Sequence, residues 1–180
     1  IYNNIQAVSS NGGGAKGEDS FVTANVRWTV TDASGNIKSV GDGHNFTTIN
    51  LLNDARTRLA VLTTTLATAT QYTNISLCST ASTGVTANGS TPTAACTLST
   101  VANITGGNPQ LATIDATTTA KVYTVAKTFA AVGTVGIAEL ELSKNLVPNT
   151  APTTAEIGAV QLVTIVLASG DTLAITWTIS

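Results

Sequence analysis

Few residues of this 180-residue chain have the types and spacing that chemistry needs. The single histidine, His44, stands in the run Gly41-Asp42-Gly43-His44-Asn45. A histidine works as a general base only beside a nucleophile and an orienting group. Asp42 can orient it, but no nucleophile elbow or comparable motif accompanies the pair, so His44 reads as a loop residue beside a turn. Glu139 and Glu141 lie two apart, which puts both carboxylates on one face of a strand. Paired carboxylates can do acid–base work on sugars. Here they are expected on a solvated face, or paired with Lys121 and Lys127 of an adjacent strand. One histidine, no cysteine pair at zinc spacing and few carboxylates leave no metal ligand set. Asp32, Asn36 and Asp42 offer oxygens to calcium, but without the EF-hand pattern. The triplet Gly12, Gly13 and Gly14 lacks the Lys-Ser/Thr that a phosphate-binding loop requires. The expectation is a protein that is not an enzyme, with no catalytic residue, no cofactor and no metal.

Covalent features are more informative. Cys78 and Cys96 lie in a stretch rich in Ser, Thr, Ala and Gly, without CxxC spacing. One disulfide is expected, with two buried free thiols as the alternative. The loop-entropy account values such a bridge at roughly 3 kcal/mol. A bridge fits an oxidising, extracytoplasmic setting. Four sequons point the same way: Asn45-Phe46-Thr47, Asn74-Ile75-Ser76, Asn88-Gly89-Ser90 and Asn103-Ile104-Thr105. Each carries the hydroxyl that N-glycosylation needs two residues after the Asn. A chain with 34 Thr, 13 Ser and 14 Asn also produces sequons by chance. From Leu59 to the residue before Asp115 there is no charged residue. Glycans on Asn74, Asn88 and Asn103 can supply the solubility that charge normally gives.

Composition excludes several classes. Charged residues make up 10% of the chain, against about a quarter in typical soluble domains. An apolar content of 43% argues against disorder. A net charge of −2 without a Lys/Arg cluster argues against nucleic acid as a partner. No apolar run is long enough for a membrane-spanning helix. The chain starts at Ile1 and contains no Met, for which a cleaved signal peptide is the expectation and a shortened chain the alternative.

The elements that must position these residues are mostly strands. Val22, Ala24, Val26, Trp28 and Val30 alternate with Phe21, Thr23, Asn25, Arg27 and Thr29, the period of a half-buried strand. The cluster Asp32-Ala33-Ser34-Gly35-Asn36 reads as a turn, returning through residues 37–40. Leu173, Ile175, Trp177 and Ile179 alternate with Thr172, Ala174, Thr176 and Thr178. Ser169-Gly170-Asp171 is expected to join that strand to residues 160–167 as a hairpin. The latter, apolar on both faces, is expected centrally in a sheet. Residues 122–129 and 135–142 are expected to pair across a turn at 130–133. One helix is expected over residues 50–62, with Leu51, Leu52, Ala55, Leu59 and Leu62 on one face and Thr48 or Asn50 as N-cap. Residues 79–107 read as long loops and short edge strands. The fold class is all-β, a jelly-roll-like β-sandwich with one short helix.

Residues 1–8 are strand-like and precede the glycine triplet, a flexible tether. The division is thus an extended N-terminal strand with its tether over 1–17 and a β-sandwich over 18–180. A strand on a leash can complete a neighbour's sheet, placing Ile1, Ile5 and Ala7 on one face and Tyr2 and Val8 on the other. Repeated head to tail, the contact does not close and builds a filament. The alternative is that residues 1–8 form the first strand of their own sheet.

In this outline the chain resembles the extracellular archaeal pilins that assemble by donor-strand exchange, the thread and bundling-pilus subunits, with the bacterial biofilm-fibre protein TasA as a distant analogue. The matching features are the start at Ile1, the strand-like residues 1–8, the triplet Gly12, Gly13 and Gly14, the sandwich, and the Thr/Asn-rich surface with sequons. The resemblance implies an extracellular, cell-surface filament whose partner is the chain itself, serving adhesion or biofilm formation. A second resemblance, through Lys127-Thr128-Phe129 and the run from Gly170 to Ile179, is to tail-fibre or other virion surface proteins of phages and archaeal viruses. A monomeric adhesin or carbohydrate-binding module is a third class. It would need exposed aromatics, whereas Trp28 and Trp177 fall on expected core faces.

Overall fold

The structure is a computed structural model that describes residues 22–60, 72–117, 122–144 and 147–180. In chain order the elements are β1 (Ala24–Thr31), β2 (Ile37–His44), β3 (Phe46–Thr47), α1 (Ile49–Ala60), β4 (Asn74–Thr80), β5 (Thr97–Leu98), β6 (Gln110–Leu111), β7 (Thr113–Thr117), β8 (Val122–Ala130), β9 (Val135–Ser143), β10 (Ile157–Leu167) and β11 (Thr172–Ile179). They form two antiparallel sheets. The first runs β2-β1-β11-β8-β7, and the second runs β3-β10-β9-β4-β5 with β6 also pairing β4. The fold is the expected all-β sandwich with one short helix. The arm 1–8, the tether, Leu62 and Lys121 lie outside the described residues.

Period-2 alternation builds the first sheet. In β11, Leu173, Ile175, Trp177 and Ile179 are buried while Ala174 and Thr176 face water. In β1, Ala24, Val26 and Val30 point the same way. Val125 and Phe129 of β8 join them, and Ile75, Leu77, Leu140, Leu142, Ile165 and Leu167 come from the facing sheet. Each such side chain contributes about 1.5–3 kcal/mol by leaving water. The β1–β2 turn forms as its residues demand. Asp32 Oδ1 accepts the backbone N–H groups of Ser34 and Asn36, both at 2.8 Å. Those Asn36 bonds, foremost, hold the Asp32 carboxyl below its ordinary value. The strand then continues to His44, so Gly41, Asp42 and Gly43 are part of β2 and not a loop.

Two expected hairpins are absent. β8 pairs β7 and β11, whereas β9 pairs β4 and β10 in the other sheet. Residues 131–134 therefore cross between sheets. β10 and β11 also lie in different sheets, so residues 168–171 cross back. The two corners sit side by side: Ala131 N–H donates to Asp171 O at 2.9 Å and Gly170 N–H to Ala131 O at 2.8 Å. Two strands that share an inward apolar face satisfy one periodicity whether they lie side by side or face to face. Local sequence therefore cannot separate a hairpin from a crossing. Asp171 anchors its corner by accepting Lys38 Nζ at 2.6 Å and Ala168 N–H at 2.8 Å.

β10 is not central along its length either. Its other neighbour, β3, reaches only Ala159 and Val160. Its first four residues are nonetheless buried, because α1 lies against it. α1 begins one residue earlier than expected, and Leu51 and Leu52 are buried as expected. Neither candidate N-cap side chain serves that role. Thr48 Oγ1 donates to Ile157 O at 2.6 Å, and Asn50 Nδ2 donates to Thr154 O and Ile157 O, tying the start of the helix to β10.

Candidate functional site

Two features of the second sheet stand out: a covered outer face and an open edge. The cover is the segment 81–96 that leaves β4 and returns as β5. The Cys78–Cys96 disulfide closes its base, with Cα atoms 5.8 Å apart and a sequence separation of 18. Its tip reaches the far edge of the sheet. Gly89 N–H donates to Thr47 O at 2.7 Å, Ile49 N–H donates to Ser90 O at 3.0 Å, and Thr47 N–H donates to Asn88 Oδ1 at 3.0 Å. The segment is thus a strap laid across the sheet from β4 to β3. Beside it, Tyr72 lies on Gly158, where any Cβ would meet its ring. Tyr72 Oη donates to Asp54 Oδ2 at 2.9 Å, and Lys144 Nζ reaches the same oxygen at 2.7 Å.

Under the strap lie Glu139 and Glu141, exposed by 1% and 0%. They share one strand face, as their spacing implies, but not a solvated one. Lys127 cannot pair with them because β8 belongs to the other sheet. The register sets Glu139 opposite Cys78 and Glu141 opposite Ser76. Glu139 accepts Ser82 Oγ at 3.0 Å and Ser82 N–H at 3.2 Å, so the strap is seated on this carboxylate. Both oxygens of Glu141 have no hydrogen-bond partner, and neither do the buried hydroxyls of Ser76 and Ser143. Burial pushes the Glu141 carboxyl well above its ordinary range, and the charges of Glu139 and Glu156 push it the same way. Burial also raises Glu139, against the bonds from Ser82. Among the described residues, Cys78, Cys96, Glu139 and Glu141 bring one ligand-type atom each within 4.8 Å of one another. Sequence reasoning separated these four residues into a clip and a wet face. The available signal was the parity they share on paired strands, with a connection far longer than a hairpin needs.

The open edge is β10 beyond Val160. From Gln161 to Leu167 it pairs only β9 among the described residues. Leu162 and Val166 stand on it 56% and 64% exposed. β2, the matching edge of the first sheet, runs along the same side, because a Cβ on Gly43 would meet Gln161. It exposes Ile37 and Val40. Gly41 lies against the Trp28 ring, where any Cβ would meet it.

The sequons differ in what they can carry. Asn45 and Asn74 are buried, leaving no room for a sugar in the folded domain, and this corrects the expectation for both. Asn103 donates its Nδ2 to Thr134 O at 2.9 Å. Asn88 is exposed on the strap, and its Oδ1, not its Nδ2, is the bonded atom. His44 ends β2 opposite Asn25. Asp32, whose oxygens were set aside with those of Asn36 and Asp42 as calcium ligands for want of the EF-hand pattern, accepts from Ser34 and Asn36. Comparison with family models, with curated proteins and with solved structures finds no match.

Proposed function

We propose that this chain is the structural subunit of an extracellular filament, polymerising head to tail as residues 1–8 of one copy add a strand to a neighbour's sheet. The observation that carries the reading is the β10 edge from Gln161 to Leu167, unpaired on one side among the described residues and bearing exposed Leu162 and Val166. An edge of this kind is a template for an added strand. Backbone bonds supply affinity, and alternate side chains supply specificity. The sequence of residues 1–8 would place Ile1, Ile5 and Ala7 on one face of an added strand, and the glycine triplet after it has the composition of a flexible tether. Low charge fits association through backbone pairing and apolar contact. The disulfide and the exposed sequon at Asn88 support an extracytoplasmic setting, with a role in adhesion or biofilm formation.

Deleting residues 1–8 tests this reading. Negative-stain microscopy is expected to give filaments from the whole chain and soluble monomers from the truncated one. Normal filaments from the truncated chain, or virion-like particles from the native material, would reject the reading.

A further inference from the structure

The buried carboxylates call for an explanation that the filament does not supply. A carboxylate withdrawn from water is stable only if a proton, a cation or several hydrogen bonds compensate it. Glu139 has Ser82. Glu141 has nothing: neither oxygen finds a donor, and the charges that act on it, those of Glu139 and Glu156, are both negative. Lys144, the basic residue that follows on the same strand, is spent on Asp54. Ser76 stands directly opposite Glu141, and Ser143 follows two residues on from Glu141 along the same face. Both hydroxyls are fully buried, and both lack partners. Glu139 and Glu141 bring carboxylate oxygens within 4.8 Å of each other, and Ser76, paired with Glu141 across the strands, adds an unused hydroxyl on the same face.

We propose that Glu139, Glu141 and Ser76 form an enclosed oxygen site for a hard divalent cation of the calcium type, beneath the disulfide-closed strap that Ser82 seats on Glu139. The donor set decides the metal. Two carboxylates, each able to bind through both oxygens, and one hydroxyl are hard oxygen ligands of the kind Ca²⁺ takes. Mg²⁺ usually keeps several waters in a strict octahedron, and the buried face under the strap is a poor place for them. Zinc and copper favour thiolates and imidazoles, and Cys78 and Cys96 are joined in a disulfide. Two carboxylate charges balance one dication. The bonds from Ser82 to Glu139 orient a ligand carboxylate, as the surroundings of metal ligands commonly do. A cation there ties β4 to β9 and, through Ser82, ties both to the strap. This inference stands apart from the filament reading, since it concerns a single folded chain.

The test uses the whole chain with its disulfide intact, stripped with a chelator at neutral pH and then titrated with CaCl₂ or MgCl₂. One Ca²⁺ per chain is expected by calorimetry and by elemental analysis, with a rise in Tm that equal Mg²⁺ does not reproduce. Glu141→Gln is expected to lose both the binding and the Tm response while its circular dichroism stays native. Ser76→Ala is expected to weaken binding about tenfold or more, and it serves alone should Glu141→Gln fail to fold. Substoichiometric binding overturns the proposal, as does unchanged binding by Glu141→Gln. Binding that appears only after reduction by a dithiol assigns the metal to cysteine sulfur and overturns it equally.

Discussion

The two sheets of this sandwich treat their outer faces in opposite ways. The outer face of the first sheet carries Arg27, Asp42, Ala174 and Thr176, all exposed, and alternation with the core is clean. The outer face of the second sheet carries Ser76, Cys78, Glu139, Glu141 and Ser143, all buried. Residues of similar polarity thus meet water on one sheet and lose it on the other. The difference lies in what covers the second sheet: residues 81–96, seated on Glu139, with Tyr72 and α1 beside them. A strand's polar face is wet or dry according to what the rest of the chain lays over it.

Removing the strap's clip is the largest way to break this contrast. Cys78→Ser with Cys96→Ser is expected to cost about 3 kcal/mol, read as a lower midpoint in urea. The pH response of the buried face comes next. Glu141 keeps its proton more tightly in the folded chain than in the unfolded one, where its pKa is near 4.5. Its contribution is therefore greatest in acid and is lost as pH rises from 4.5 towards the raised folded value. With chelator present, ΔG of unfolding should fall by up to about 1.4 kcal/mol per pH unit across that window. Glu141→Gln should flatten the profile, which urea melts at several pH values would reveal. Ser82→Ala removes one hydroxyl bond to Glu139 and is expected to cost about 1.5 kcal/mol. At the opposite face, Thr176→Ala should stay within about 0.5 kcal/mol of wild type. A cost as large as that of Ser82→Ala would erase the contrast between the faces.

How much of this was legible in the sequence follows the same division. β1, β11 and their inward faces could be read because one side of each strand is wet and the period shows. The turn at Asp32, the helix at Leu51 and Leu52 and the Cys78–Cys96 pairing could also be read, since each depends on local spacing or on there being one possible partner. The crossings at 131–134 and 168–171 could not, because a shared inward face does not say which sheet a strand joins. β10 looked central because residues 160–167 are apolar on both faces, yet Leu162 and Val166 stay exposed and it is at 157–160, where α1 lies against the strand, that successive residues are buried. For the site, the shared face of Glu139 and Glu141 was visible and its burial was not. Asn45 and Asn74 carry sequons that only the folded packing disqualifies.

The central claim, that residues 1–8 of one copy occupy the β10 edge of the next, can be tested by placing a cysteine on each side of the contact. Ile5→Cys combined with Val166→Cys, oxidised in assembled filaments, is predicted to give a ladder of covalent multimers on a non-reducing gel. Monomers cross-linked only within themselves would place the arm on its own sheet and contradict the account.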